Sequence, residues 1–551
     1  MCRFPVKANG VAWGGYMAAT MATILKMPRW APLLIAAAFL GAHNLRFQPW
    51  LLDDAYITLR YAENLAYGWG PVFNEGERVE GYTNFLWMIL MAGGAWVGLD
   101  PVLLSQGLGI AFIAGVIVLL ANSDRIVSGV SRPAAITAAL IAGTSPLVSR
   151  WMMSGMETAM VTFWFVFAIL LHLRDRARPM ASVPAAALSG LICALAAMSR
   201  PDAGLLFGVL CLDRLFSLRQ RDGGVSALLT VVAVFGAIFG GFFAWRWGYY
   251  GWPLPNTFYT KVGASGYQVL RGLGYVIQFL IVGWSIWLPT AVAAARPDLR
   301  PAGLGVAAGL VLLQSVYVVA VGGDAFYGHR FFAAFVPLMA LVVAGVRQEV
   351  GGQRWPALLL WVPLLANLYW VTMSQQLSYP GRVSRRGVAV GAFLAEHTPY
   401  DAVLAVNVAG AIPYYSELKT IDMLGLCDEH IAHREIEAMG RSVAGHEKGD
   451  GDYVLSRRPD YVMFGSSLGQ RGPKFLSDRE LFKRDAFHQE YDLHVYAIPP
   501  DRRLRLWVRR PEAGGAGLTA TPLEIDTRDR RGQFDTEVED DGDYLRLGWW
   551  D

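Results

Sequence analysis

Charge is what this sequence has least of. Asp, Glu, Lys and Arg make up 17% of its 551 residues, where soluble domains carry roughly 25%. The shortfall points to a multi-span membrane protein, and it is uneven. From Met1 to about Thr372 the chain is mostly apolar runs of about 16–24 residues, the length a bilayer core demands. From Val383 to Asp551 it reads as an ordinary soluble domain. Cysteine is equally scarce. Cys2, Cys193, Cys211 and Cys427 are scattered, two of them in apolar runs, so neither a disulfide framework nor a metal knuckle is indicated. A net charge of +3, with no basic stripe interleaved with aromatics, argues against a nucleic-acid partner. No clear small-residue cleavage site follows Arg3, Lys7 and Lys26 ahead of Asp53, so the first apolar run reads as an uncleaved anchor.

The apolar runs place spans at 29–50, 101–121, 133–149, 157–173, 182–198, 203–218, 225–248, 270–294, 302–321, 331–347 and 355–373. Short loops rich in arginine (Arg125 and Arg132; Arg174, Arg176 and Arg178; Arg219 and Arg221; Arg296 and Arg300; Arg347 and Arg354) mark the cytoplasmic side. The segment Asn84–Leu99, with three glycines, is short for a crossing and reads as re-entrant or interfacial. The fold expected is a polytopic α-helical membrane protein of about 11 spans. Its N-terminus is inside and its C-terminal α/β domain extracytoplasmic, with the division at residues 382/383.

This sorting gathers the unusual polar residues into the outside loops. Asp53 and Asp54 follow the first apolar run, and carboxylates at a membrane edge are functional candidates by default. Glu80 and Asn84 follow in the next polar loop, then Glu157, then Arg200 with Asp202. Asn256, Tyr259 and Lys261 lie further on, and Asp324, His329 and Arg330 complete the set. Cations of this kind hold phosphate, arginine in bidentate fashion, and a carboxylate accepts a hydroxyl proton. Plainer roles compete at each position. Arg200 and Lys261 suit interfacial anchors; Asp202 suits a partner for Arg200, and Asp324 one for Arg330. Glu157 and Asp53 suit helix starts. A transporter of lipid-linked precursors is the competing class, and it requires ionisable groups near mid-span. Asp213, Arg214 and Arg246 come nearest to that position. A non-enzymatic scaffold leaves the clustered acids without a purpose.

The ordered blocks DDAYITLRYAENL (53–65), GPVFNEGERVEGYTN (70–84), SGMET (154–158), RPD (200–202), PNTFYTK (255–261) and GGDAFYGHRF (322–331) resemble the C-type superfamily of polytopic glycosyltransferases (GT-C). They are similar in particular to its bacterial branch of cell-wall terminal arabinofuranosyltransferases. The likeness covers residues 50–340 and, more loosely, the outer domain. It implies a polyprenyl-phosphate sugar donor, a glycan or envelope acceptor, and a carboxylate of the Asp53/Asp54 pair as general base, with Asp54 slightly favoured. It implies phosphate held by some of Arg200, Lys261, His329 and Arg330, with Glu80, Asn84, Glu157, Asp202, Asn256, Tyr259 and Asp324 positioning the substrates. Tyr56 and Tyr61 depart from the arabinosyl pattern and leave the sugar open. Hard oxygen ligands are abundant enough to admit a divalent cation such as Mg2+, and no spacing requires one. No Gly-rich nucleotide loop stands in an inside loop, in keeping with a lipid-linked donor.

Beyond Gly387 the pattern alternates. A helix is expected over 387–397, and strands over 402–407, 459–465, 491–498 and within 504–510, which suggests a small α/β layer domain. His430, His433 and His446 lie in a loop-plus-helix segment whose spacing does not support a metal. The acidic run 538–543 reads as a solvated turn.

Overall fold

A computed structural model describes residues 27–47, 51–218, 222–263, 265–296, 303–326, 328–345, 362–367, 369, 381–437 and 439–527. The acidic run 538–543, the first 26 residues and most of the run 355–373 lie outside them.

Among the described residues three helices are long and apolar enough to cross a bilayer: Pro101–Ala121, Thr158–Arg176 and Gly224–Tyr250. The helices Gly266–Val282 and Trp284–Ala295 meet at a 95° bend and make a fourth crossing if taken as one broken span. The expected span 270–294 thus carries a sharp bend. Gly283 ends the first helix, and Pro289 within the second removes a backbone donor. Shorter apolar helices fill in around these: Ala31–His43, Phe85–Trp96, Arg132–Gly143, Val183–Ser199 and Gly305–Val321. Among the described residues, length and composition thus support three or four crossings. Runs 133–149 and 331–347 are each broken. The first splits into Arg132–Gly143 and Pro146–Met152, and the second into Arg330–Ala333 and Val336–Ala344. Phe85–Trp96, at 12 residues, spans about 18 Å, well under the roughly 30 Å hydrocarbon core.

The helix Thr158–Arg176 separates two polar layers by about 28 Å. At its far end His172 and Arg176 both meet Asp213, and Arg214 meets Asp175 at 3.0 Å. Asp213 and Arg214, the residues a transporter reading needed, are engaged in these ion pairs. At its near end stands Glu157.

The C-terminal part is a six-stranded sheet: β1 (Val403–Val406), β2 (Lys419–Asp422), β3 (Tyr461–Met463), β4 (Tyr491–Ile498), β5 (Arg502–Arg509) and β6 (Glu524–Asp526), in the order β2-β1-β3-β5-β4-β6. β1 runs parallel to both β2 and β3; β5 and β4 complete an antiparallel half. β1 (VLAV) is buried along almost its whole length, as an interior parallel strand must be. The helix Arg382–His397 covers one face through Val390 and Leu394. β6 has no counterpart in the sequence reading, because three residues with two exposed side chains leave no alternating pattern.

One helix, Asp53–Ala66, joins the two parts. Its buried face is almost continuous (Ala55, Tyr56, Leu59, Tyr61, Ala62). Its buried Arg60 donates to the carbonyls of Phe73, Pro413 and Leu418, so a charge with no carboxylate in contact is instead solvated by backbone. Tyr414 donates to Glu63 at 2.6 Å, and Ser384 to the carbonyl of Leu51 at 2.6 Å. Gly155 has φ +78°, and a Cβ there would press on Leu51 and Ala55. Only glycine lets that loop close over the helix start.

Candidate active site

Adjacent in sequence, Asp53 and Asp54 have different surroundings. Asp53 does not cap its own helix, which begins at Asp53 itself with Leu52 as the residue before it. Its carboxylate reaches across to the helix Ala411–Ser416 instead. Oδ2 accepts from the Gly410 amide at 3.0 Å and Oδ1 from the Ala411 amide at 2.9 Å. Burial pushes this carboxyl up to about 7, against the two amide donors, and the Asp54 charge adds to the rise. Both Asp53 oxygens are committed. Asp54 is half-buried and, among the described residues, its side chain makes no hydrogen bond. Its charge bears on Arg330, His446 and Cys427.

Arg330 is buried and pairs with Asp324, Nε to Oδ2 at 3.0 Å. Burial opposes its charge, but Asp324, Glu157 and Asp54 outweigh that and hold it charged above the usual arginine range. Arg200 forms a bidentate pair with Asp202 at 2.6 and 2.8 Å, and Gln314 donates to the same carboxylate at 2.8 Å. Both guanidinium groups stand over the Phe331 ring, at 5.6 and 5.7 Å from its centroid. Glu157 accepts from Asn84 at 2.9 Å, and Asn84 accepts from Thr58 at 3.2 Å. Thr58 lies one helical turn beyond Asp54, on the same face. Glu157 thus serves a side-chain network instead of its helix start. The loops 154–158, 200–202 and 322–331 and the start of Asp53–Ala66 do meet.

Several buried polar atoms in this layer have no hydrogen-bond partner: Arg200 Nη1, His329 Nδ1, Tyr275 Oη and Gln314 Oε1. They adjoin one another through the Arg200–Asp202–Gln314 bonds and the Tyr275–His329 ring contact at 5.1 Å. Orphaned buried polar atoms of this density are costly unless a ligand satisfies them.

The remaining candidates fall elsewhere. His329, in the left-handed region at φ 47°, is wedged against Tyr275 and Phe279. Burial, then the Arg150 charge, lowers it to about 4. At neutral pH its ring is uncharged. Glu80 is bound by buried Arg246, Nε to Oε1 at 3.1 Å, and its carbonyl accepts from Asn256. The Asn256 side chain donates to the carbonyls of Gly425, Leu426 and Asp428 at 2.9–3.2 Å. Glu80 and Asn256 therefore brace the join to the sheet domain. Tyr259 stacks on His433 at 4.2 Å, facing a separate cleft. Lys261 lies against Gly445 and makes no ion pair among the described residues. It and Asp54 both act on His446, which burial keeps uncharged.

His446 is a site neighbour that sequence reasoning weighed only as a metal ligand. Arg60 and Arg150 went unremarked: single cations in apolar surroundings carry no pattern to mark them. Among the described residues no three His, Cys, Asp or Glu side chains gather as a metal site.

The helical layer with a sheet domain at its C-terminal end matches the fold of a solved structure. The match is to ArnT from Cupriavidus metallidurans bound to undecaprenyl phosphate, with a TM-score of 0.52 and 16% identity, covering 92% of this chain and 99% of that one. In sequence the chain is similar to the terminal β-(1→2)-arabinofuranosyltransferase of Mycobacterium tuberculosis (26% identical over 365 residues, 58% of this chain and 56% of that protein). It is also similar to the counterpart from Corynebacterium glutamicum (27% over 368 residues, 59% and 52%). The chain spans about half the length of these curated relatives. A family model described as a domain of unknown function (DUF8728) matches residues 372–511.

Proposed function

We propose that the chain is a membrane glycosyltransferase. It moves a sugar from a polyprenyl-phosphate donor to a glycan or envelope acceptor at the extracytoplasmic face of the plasma membrane. In this reading the membrane part is 1–382 and the outer domain 383–551, and the start of the helix Arg382–His397 near that division supports it. The N-terminus is cytoplasmic. The observation that carries the reading is the unbonded Asp54 carboxylate set in the same layer as Arg330, Arg200 and Glu157.

In the reaction, Asp54 takes the proton of an acceptor hydroxyl as that oxygen attacks the anomeric carbon. The bond from that carbon to the phosphate oxygen breaks, and its electron pair leaves with the polyprenyl phosphate. Arg330 and Arg200 stabilise the charge that develops there, Lys261 adds a further cation, and neutral His329 offers a hydrogen bond. Asp324 and Asp202 keep the two guanidinium groups charged and aimed. Glu157 and Asn84 fix the Thr58 face beside the base. Arabinofuranose is the sugar that the names of the relatives favour.

The test is incubation of the purified chain with a panel of polyprenyl-phosphate sugars, a polyprenyl-phosphate arabinose among them, with donor consumption and product mass as readouts. Asp54→Asn should abolish transfer while keeping a monodisperse, membrane-inserted protein. Consumption of no donor by the wild type, or full activity of Asp54→Asn, would overturn the proposal.

A further inference from the structure

A second cleft, of about 720 Å3, opens at the join of the two parts, away from the arginine layer. One wall comes from the loop 77–79 and Trp252; the other comes from residues 427–434 and 450–457 of the outer domain. Its volume is in the range of small-ligand sites.

Two aromatic platforms stand in it. Trp252, 39% exposed, lies on His433 at 4.0 Å, and His433 lies on Tyr259 at 4.2 Å. The indole is pinned by its Nε1 bond to Glu429 at 3.0 Å. Opposite, His430 stacks on Tyr453 at 4.1 Å and 14°, and the Tyr453 hydroxyl donates to Asp428 at 3.0 Å.

The lining carries the acids Glu77, Asp428, Glu429 and Asp450 beside Arg78, Arg434 and Arg457. Arg457 meets Glu77 at 3.2 Å, Arg434 meets Glu480 at 2.8 Å, and His430 shares a hydrogen bond with Asp450 at 3.0 Å. Arg78 lies over the Tyr249 ring at 4.7 Å. Such a lining gives an anion little net attraction. It offers fixed rows of donors and acceptors beside flat apolar faces, the combination that hydroxyls and the C–H faces of sugar rings require. Cys427, also in the lining, packs in one core cluster with Ala55, Tyr56 and Tyr61, so the cleft backs onto the helix that carries Asp54.

We infer that this cleft is a subsite for a neutral oligosaccharide, holding the acceptor chain on Trp252 and the His430–Tyr453 stack while its end reaches Asp54. The link to Asp54 rests on the transferase reading; the binding of neutral sugar in the cleft does not.

The experiment measures binding without donor, by tryptophan fluorescence and saturation-transfer NMR on the full chain in detergent. The probes are short arabino-, galacto-, xylo- and malto-oligosaccharides and a sulfated heparin tetrasaccharide. At least one neutral probe should bind wild type and Asp54→Asn alike. Its affinity should fall roughly tenfold in Trp252→Ala, the loss of one ring stack, and less in Trp252→Phe, which keeps the contact with His433. Size-exclusion profiles establish that the variants fold. Binding of no neutral probe, preference for the sulfated one, or affinity unchanged in a folded Trp252→Ala would overturn the inference. Neutral binding that persists while no donor is ever consumed would keep the subsite and remove the transferase reading.

Discussion

Asp53 and Gly410 are 357 residues apart in sequence and 3.0 Å apart across a hydrogen bond. A Cβ on residue 410 would collide with the Asp53 carbonyl oxygen. The first outer-loop helix and the sheet domain are locked at this point, immediately next to the proposed base.

The two aspartates should therefore fail differently. Asp54→Asn should lower kcat by about 10²-fold or more, the usual worth of a positioned base, with the thermal midpoint nearly unchanged. Asp53→Ala removes both acceptors of a helix start and should cost about 1–3 kcal/mol of stability. Activity assays paired with thermal unfolding of each variant check the split.

Gly410→Ala should destabilise by about 1–3 kcal/mol through overpacking against fixed backbone. Because the strain falls next to Asp54, kcat should fall with it. Limited proteolysis should show earlier cleavage between the two parts.

Glu80→Gln strands the Arg246 guanidinium in a buried position, and breaking such a pair costs about 3–5 kcal/mol. Glu80→Gln combined with Arg246→Met should recover much of that loss. If Glu80 instead bound substrate, the double variant would regain stability without activity. Unfolding and transfer measured on the same three proteins separate the outcomes.

Stability should depend on pH through the raised carboxyls. Burial pushes Asp422 up to about 7, like Asp53. Unfolded, both titrate near 3.8. Between these values the folded state binds more protons, so the stabilisation is complete below about 4 and is lost as pH rises through about 7. Unfolding midpoints recorded across that window should fall less steeply in Asp422→Asn than in wild type.

Arg330→Lys keeps a charge but loses the fork that spans Asp324 and a phosphate. The donor KM should rise and kcat fall, with the acceptor KM little changed. Initial rates with each substrate varied in turn provide the measurement.

Much of the site was legible because its loops are short and its polar residues stand out against apolar runs. Arg200–Asp202 and Asp324–Arg330 were readable as pairs since both partners lie within one loop. The Glu80–Arg246 pair, 166 residues apart, and the Asn256 bonds to 425–428 were not, because local periodicity carries nothing about distant partners. The division of labour between Asp53 and Asp54 was hidden for the same reason: the amides that claim one of them belong to another domain. Apolar runs located the membrane part, but their lengths conceal breaks such as the 95° turn at Gly283, which depend on what each helix packs against.

The cross-domain grip on Asp53 also limits how such a chain can change over evolution. An unrelated outer module grafted onto the same helices would have to present a helix beginning at a bare backbone position, in the same place, or the neighbouring carboxylate would lose its orientation. Recombination among relatives should then favour exchanging the first outer loop and the sheet together, as one inherited block.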